Sequence, residues 1–140
     1  MDVKKWLSRG WKIQREIAAL VEARQKAFYL ACASGIYGDG VKVQTSQENR
    51  TEQRLLSLAE YDRHLIERVN QLYRVLEEIG QTIEKVTDGA LRILLIERYI
   101  NYKTWEQIAE VMGYKDVRHI YRLHKRALIA AEKALHKKIS

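Results

Sequence analysis

Between Leu55 and Val86 apolar side chains return every seven residues: Leu58, Leu65, Leu72, Ile79 and Val86 form one seam, and Leu55, Val69, Leu76 and Ile83 the other. That spacing, near 3.5 residues per turn, keeps both seams on one side of a continuous α-helix. Asp62 is the one residue that breaks the pattern. Ile66, Tyr73 and Val75 widen the apolar side into positions where a two-stranded coiled coil prefers charges. The helix is therefore expected to bury its face in a bundle of several helices. Thr45 and Glu48 have capping-box spacing, which predicts its start near Ser46. A helix over residues 46–86 is about 60 Å long at 1.5 Å per residue, more than a compact domain of this size holds. Association between chains, with a dimer favoured, is the expected remedy.

Upstream, Trp6, Ile13, Leu20 and Ala27 lie on one helical line, with Ile17, Val21, Phe28 and Ala31 beside it. Residues 3–33 thus read as one long amphipathic helix. Three glycines among residues 35–40 supply the permissive backbone of a loop, placed at residues 34–46. That run holds no phosphate-loop motif, and no strand precedes it. Cys32 is the only cysteine, so an internal disulfide is excluded, and its alanine neighbours suggest a small buried apolar residue. No proline interrupts the 140 residues, and 46% of them are apolar and 31% charged. The expected fold class is all-α.

The net charge of +7 favours an anionic partner. It is unevenly spread: residues 1–40 carry 7 basic and 4 acidic groups, 41–86 carry 7 and 8, and 87–140 carry 11 and 6. From Lys115 onward, 8 basic side chains face only Asp116 and Glu132. The longest charge-free stretch, residues 27–38, is far short of the roughly 20 apolar residues of a spanning helix, so no membrane role is expected. The first residues carry charges throughout and do not read as a secretory signal, which places the expected location in the cytoplasm.

The basic C-terminal third has its own organisation. Thr87 is a plausible N-cap for a helix from Asp88 to about Asn101, with Leu91, Leu94, Leu95 and Tyr99 turned inward. Thr104 and Gln107 form another capping-box pattern, and Trp105, Ile108, Ala109 and Met112 mark the buried side of a short helix. Gly113, four residues after the small Ala109, can take the left-handed conformation of a sharp helix-helix turn. Asp116 can then cap a last helix, whose inward line is Ile120, Leu123, Ala127, Ala131 and Leu135.

This is the pattern of a helix-turn-helix DNA-binding domain over residues 87–140, following an oligomerisation scaffold over 1–86. The first inward residue of the last helix falls at Ile120, one place later than in a standard motif, so a turn lengthened by one residue is expected. Arg118, His119 and Arg122 are the candidates for base edges, because the first turns of a recognition helix enter the major groove most deeply. Tyr121, Lys125 and Arg126, with Lys115 and Lys103, are candidates for phosphates. The competing reading is a solvated surface helix. Against it stands the coincidence of the capped short helix, the Ala/Gly spacing, the tight turn and the acid-poor helix that follows.

Residues 91–128, LRILLIERYINYKTWEQIAEVMGYKDVRHIYRLHKRAL, resemble region 4 of bacterial sigma factors, which holds a promoter-reading helix-turn-helix. The chain is similar also to phage late transcriptional regulators of the RinA and ArpU type and their uncharacterised phage relatives. The shared segments are RYI, TWEQIA, MGY and YRLHKRAL, together with the N-terminal W-L-x-R-x-W-x-I and VQTS stretches. The resemblance implies a phage- or prophage-encoded activator of packaging and lysis genes, working on double-stranded DNA in the host cell.

Catalysis finds no foothold. His64, His119, His124 and His136 have no metal-ligand spacing, and His119 and His124, five apart, point to different sides of a helix. Glu60, Asp62 and Glu67 sit beside Arg63 and Arg68, as the charged flanks of a bundle do. No enzyme, metal or cofactor is expected. Two other functions fit the same pattern: a DNA-packaging recognition protein such as a small terminase subunit, and a protein-interaction module that binds RNA polymerase.

Overall fold

The computed structural model describes residues 2–33 and 44–139, and its regular elements there are all helical, α-helices with a π-type end at residues 32–33. In chain order these are α1 (Val3–Leu7), α2 (Arg9–Ala31), α3 (Gln44–Glu84), α4 (Gly89–Tyr99), α5 (Trp105–Met112) and α6 (Val117–Ile139). The glycine-rich run read as a loop, and the side chains of Thr45 and Glu48, lie outside what is described. No described helix is long and apolar enough to cross a membrane. Packing divides the chain into two compact units, Met1–Lys12 with Leu72–Ser140, and Ile13–Gln71.

The first unit begins with α1, whose N-cap Asp2 accepts backbone N–H bonds from Lys4 and Lys5 at 3.0 and 3.4 Å. The single helix expected over residues 3–33 is broken at Ser8, where the Ser8 hydroxyl donates to the Lys4 carbonyl at 2.7 Å. A hydroxyl that bonds the backbone of the preceding turn competes with helix continuation. The short α1 packs on α6, with Val3 and Leu7 buried. Gly10, in the first turns of α2, gives the Tyr102 hydroxyl room to close in. A Cβ there would collide with that hydroxyl and stand 3.2 Å from Leu76 and 3.3 Å from Leu72.

Ile79, Ile83 and Val86, the last part of the seven-residue repeat, join the same core as Leu91, Leu94, Leu95 and Tyr99 of α4. The packing boundary within α3 falls between Gln71 and Leu72. The N-cap of α4 is Asp88, not Thr87: its carboxylate accepts from the N–H of Ala90 at 2.9 Å and of Leu91 at 3.3 Å. Arg92 in turn donates to the carbonyls of Val86 and Thr87 at 2.7 and 3.0 Å, satisfying backbone acceptors just past the end of α3.

In the second unit α2 and α3 run in opposite directions, since Glu16 pairs with Arg68 at 2.8 Å while Arg24, further along α2, pairs with the earlier Asp62. Asp62, the one break in the repeat, is thus matched by a guanidinium, whose second nitrogen reaches the other carboxylate oxygen at 3.3 Å. This pairing raises the Arg24 pKa, through the hydrogen bond first and the charge of Asp62 second. Leu58 and Ala31 are buried in this unit, but Val21, Phe28, Leu55, Leu56, Ile66 and Val69 remain exposed.

Candidate nucleic-acid interface

The candidate face is built on α6, which packs against α1, α4 and α5. Its approach is set by α5. The Thr104 hydroxyl accepts the Gln107 N–H at 3.2 Å, and the Gln107 side chain accepts the Thr104 N–H at 2.9 Å, the reciprocal capping box expected from the sequence. Ile108 and Ala109 are buried. The helix stops at Gly113, whose φ of 80° is left-handed, and the Tyr114 N–H returns to the Ala109 carbonyl at 2.8 Å. A side chain at 113 would be strained in that conformation.

Asp116 then starts α6. Its carboxylate accepts the Arg118 N–H at 2.9 Å and pairs with the Arg118 guanidinium at 2.8 Å. These bonds, the backbone one foremost, hold the Asp116 carboxyl below its ordinary pKa. The inward line is as expected: Ile120, Ala127, Ala131 and Leu135 are buried and Leu123 is partly so.

All seven candidate contact residues, Lys115, Arg118, His119, Tyr121, Arg122, Lys125 and Arg126, are exposed. At 100° per residue Arg118, Arg122 and Lys125 share one stripe, flanked by His119 and Arg126 on one side and Tyr121 on the other. Among the described residues Lys115, Arg122, Lys125 and Arg126 have no ion-pair partner, whereas Arg118 is held by Asp116 and yet is 81% exposed. Two of the seven are oriented by aromatic neighbours. His119 stacks on Tyr114 with centroids 5.5 Å apart, and Tyr121 meets the Trp105 ring edge-on at 5.6 Å. Lys103 is drawn off: its ammonium pairs with Glu97, whose carboxyl it holds below the usual range.

Behind this face lies a cluster that sequence reading missed. The Tyr99 hydroxyl and His124 Nε2 are hydrogen-bonded at 2.5 Å, joining α4 to α6, and the His124 ring stands edge-on to Trp105 of α5 at 4.6 Å. Arg98 lies over the other ring partner, 4.1 Å from the Trp105 centroid, and donates to the Lys103 carbonyl at 2.9 Å. Burial, with Lys4 and Arg98 nearby, pushes His124 down to about 4, and burial pushes Tyr99 up to about 12. Both groups are therefore neutral at pH 7, and their hydrogen bond pins α6 to α4. The signal was present: His124 is four residues after Ile120 and three before Ala127, on the inward line. The identity of the residue, more often a surface type, masked it.

Among the described residues no three His, Cys, Asp or Glu side chains gather as a metal site. No protein-family model, curated protein or solved structure matches the chain.

Proposed function

We propose that the chain is a sequence-specific double-stranded DNA-binding transcriptional regulator, with α5, the turn at Gly113 and α6 acting as a helix-turn-helix of the sigma-region-4 type. The observation that carries this reading is the exposed, acid-poor basic stripe of α6 directly after a capped short helix and a left-handed glycine turn. Arg118, His119 and Arg122 face base edges in the major groove; Lys115, Tyr121, Lys125 and Arg126 bind the flanking phosphates. The resemblance to phage late regulators supports activation of packaging and lysis genes in an infected bacterial cell. The apolar side chains left exposed on the α2–α3 unit support a dimer, in which two recognition helices address paired half-sites.

The test is a gel-shift titration on DNA upstream of phage late genes, with random DNA as competitor at moderate salt. Arg122→Ala is expected to weaken specific binding by about 1–3 kcal/mol, and Lys125→Ala to weaken all sequences alike and lower the salt slope by about 1. Equal affinity for random DNA would overturn sequence-specific recognition. Light scattering that returns a monomer at micromolar concentration would overturn the dimer.

A further inference from the structure

We propose that the groove between the C-terminal half of α6 and the segment joining α3 to α4 is a docking site for an acidic amphipathic helix of a partner protein. The groove has a volume of about 370 Å³. Four cations line it, Lys85, Arg126, Lys133 and Lys137, and no acidic residue does. Its floor is apolar. Val86, Leu91 and Ala134 are buried there, and the short side chains of Ala130 and Ala134 lower the helix surface between the longer cations.

Ile129 decides what kind of partner fits. It stands three residues after Arg126 and four before Lys133, in the same stripe of α6, and is 55% exposed. A phosphodiester backbone would meet the cations but gain nothing from an isoleucine and an alanine floor. An amphipathic helix uses both: apolar anchors at i, i+3 or i+4 and i+7 fill the groove, and Asp or Glu on its flanks meet the rim. From Arg126 to Lys137 α6 rises about 16 Å, room for about three turns of a partner helix. The groove shares only Arg126 with the proposed DNA face, so a chain that bound no DNA would still dock such a partner.

The experiment selects a display library of random peptides, each about 15 residues long, on the full chain, and measures the enriched peptides by fluorescence anisotropy. Enrichment of net-acidic sequences with apolar residues at helical spacing is expected. Ile129→Asp and the double variant Lys85→Glu/Lys133→Glu should each weaken those peptides about tenfold or more, as loss of a central anchor or of complementary charge does. Both alter exposed positions on the groove, and unchanged thermal melts will show that the fold is kept. Three results overturn the proposal: enriched peptides that are not acidic, binding that survives both variants, or loss of DNA affinity in Lys85→Glu/Lys133→Glu with no peptide enriched. The last would assign the groove to nucleic acid instead.

Discussion

In α3 the apolar face is fully buried at its C-terminal end and only partly covered further up, where Leu58 is buried but its neighbours are not. Ile79 and Ile83 are completely buried, whereas Leu55, Ile66 and Val69 are 55, 62 and 49% exposed. The repeat and the helix are continuous, so the difference comes from what surrounds each stretch. The C-terminal end has α1, α4 and α6 as neighbours in one core. The middle has α2, joined to it through ion pairs at the positions of Asp62 and Arg68. A helix can hide a broad apolar stripe only with several partners, and two helices leave part of it uncovered. The seven-residue period states which side chains need burial; it does not state what buries them.

Several substitutions break or sharpen this contrast. The largest effect is expected in the core: Ile79→Ala should lower unfolding stability by about 2–5 kcal/mol, by lost transfer energy and a cavity. Val69→Ala, at the exposed stretch of the same seam, should stay within about 0.5 kcal/mol for the isolated chain. Urea titrations measure both, and equal losses would mean that the middle of α3 is covered in solution.

Next comes acid. His124 is held neutral in the fold down to about pH 4, against an ordinary value of 6.5. The unfolded chain then binds more protons than the folded one between these values. Stability is full above pH 6.5 and falls as pH drops towards 4, by an amount on the order of 3 kcal/mol. His124→Gln should flatten the slope in that window in thermal melts; an unchanged slope would remove His124 from the cause.

Gly10→Ala follows. The added methyl collides with the Tyr102 hydroxyl and crowds Leu72 and Leu76, and overpacking of this kind costs about 1–3 kcal/mol. Against it runs the gain of about 1 kcal/mol that alanine normally brings to a helix. A lowered melting temperature is expected, and a raised one would show that Tyr102 moves aside. A small effect is also expected in the second unit: Arg24→Ala, which removes the half-exposed pair with Asp62, should leave the thermal melt nearly unchanged, and a clear drop would show that the pair holds α2 to α3.

Local chemistry was legible without coordinates wherever the deciding partner lay within a few residues. The Thr104–Gln107 capping box, the left-handed Gly113, the Asp116 cap and the inward line from Ile120 to Leu135 are all short-range devices, and each is present. So is the outward set from Lys115 to Arg126, because a helical period separates outside from inside once the inner line is known. The cap of α4 was misplaced by one residue, since Thr87 and Asp88 are both good cap formers and the choice depends on where the chain leaves α3. The break at Ser8 was missed for a similar reason: serine is tolerated inside helices, and the packing of α1 on α6 lies more than a hundred residues away in the chain.

The sequence by itself determined that the chain is helical, where most helices lie, and which side of α6 is basic and exposed. Periodicity, caps and turn residues act over one or two turns, and their information is complete in the local string. Only the tertiary structure decided that the end of α3 belongs to the core beneath α4–α6, that Asp62 is answered by Arg24, and that His124 is a neutral bond to Tyr99 and not a surface charge. Each of those outcomes depends on which distant groups share a low-dielectric or close-packed space, and no local pattern specifies that.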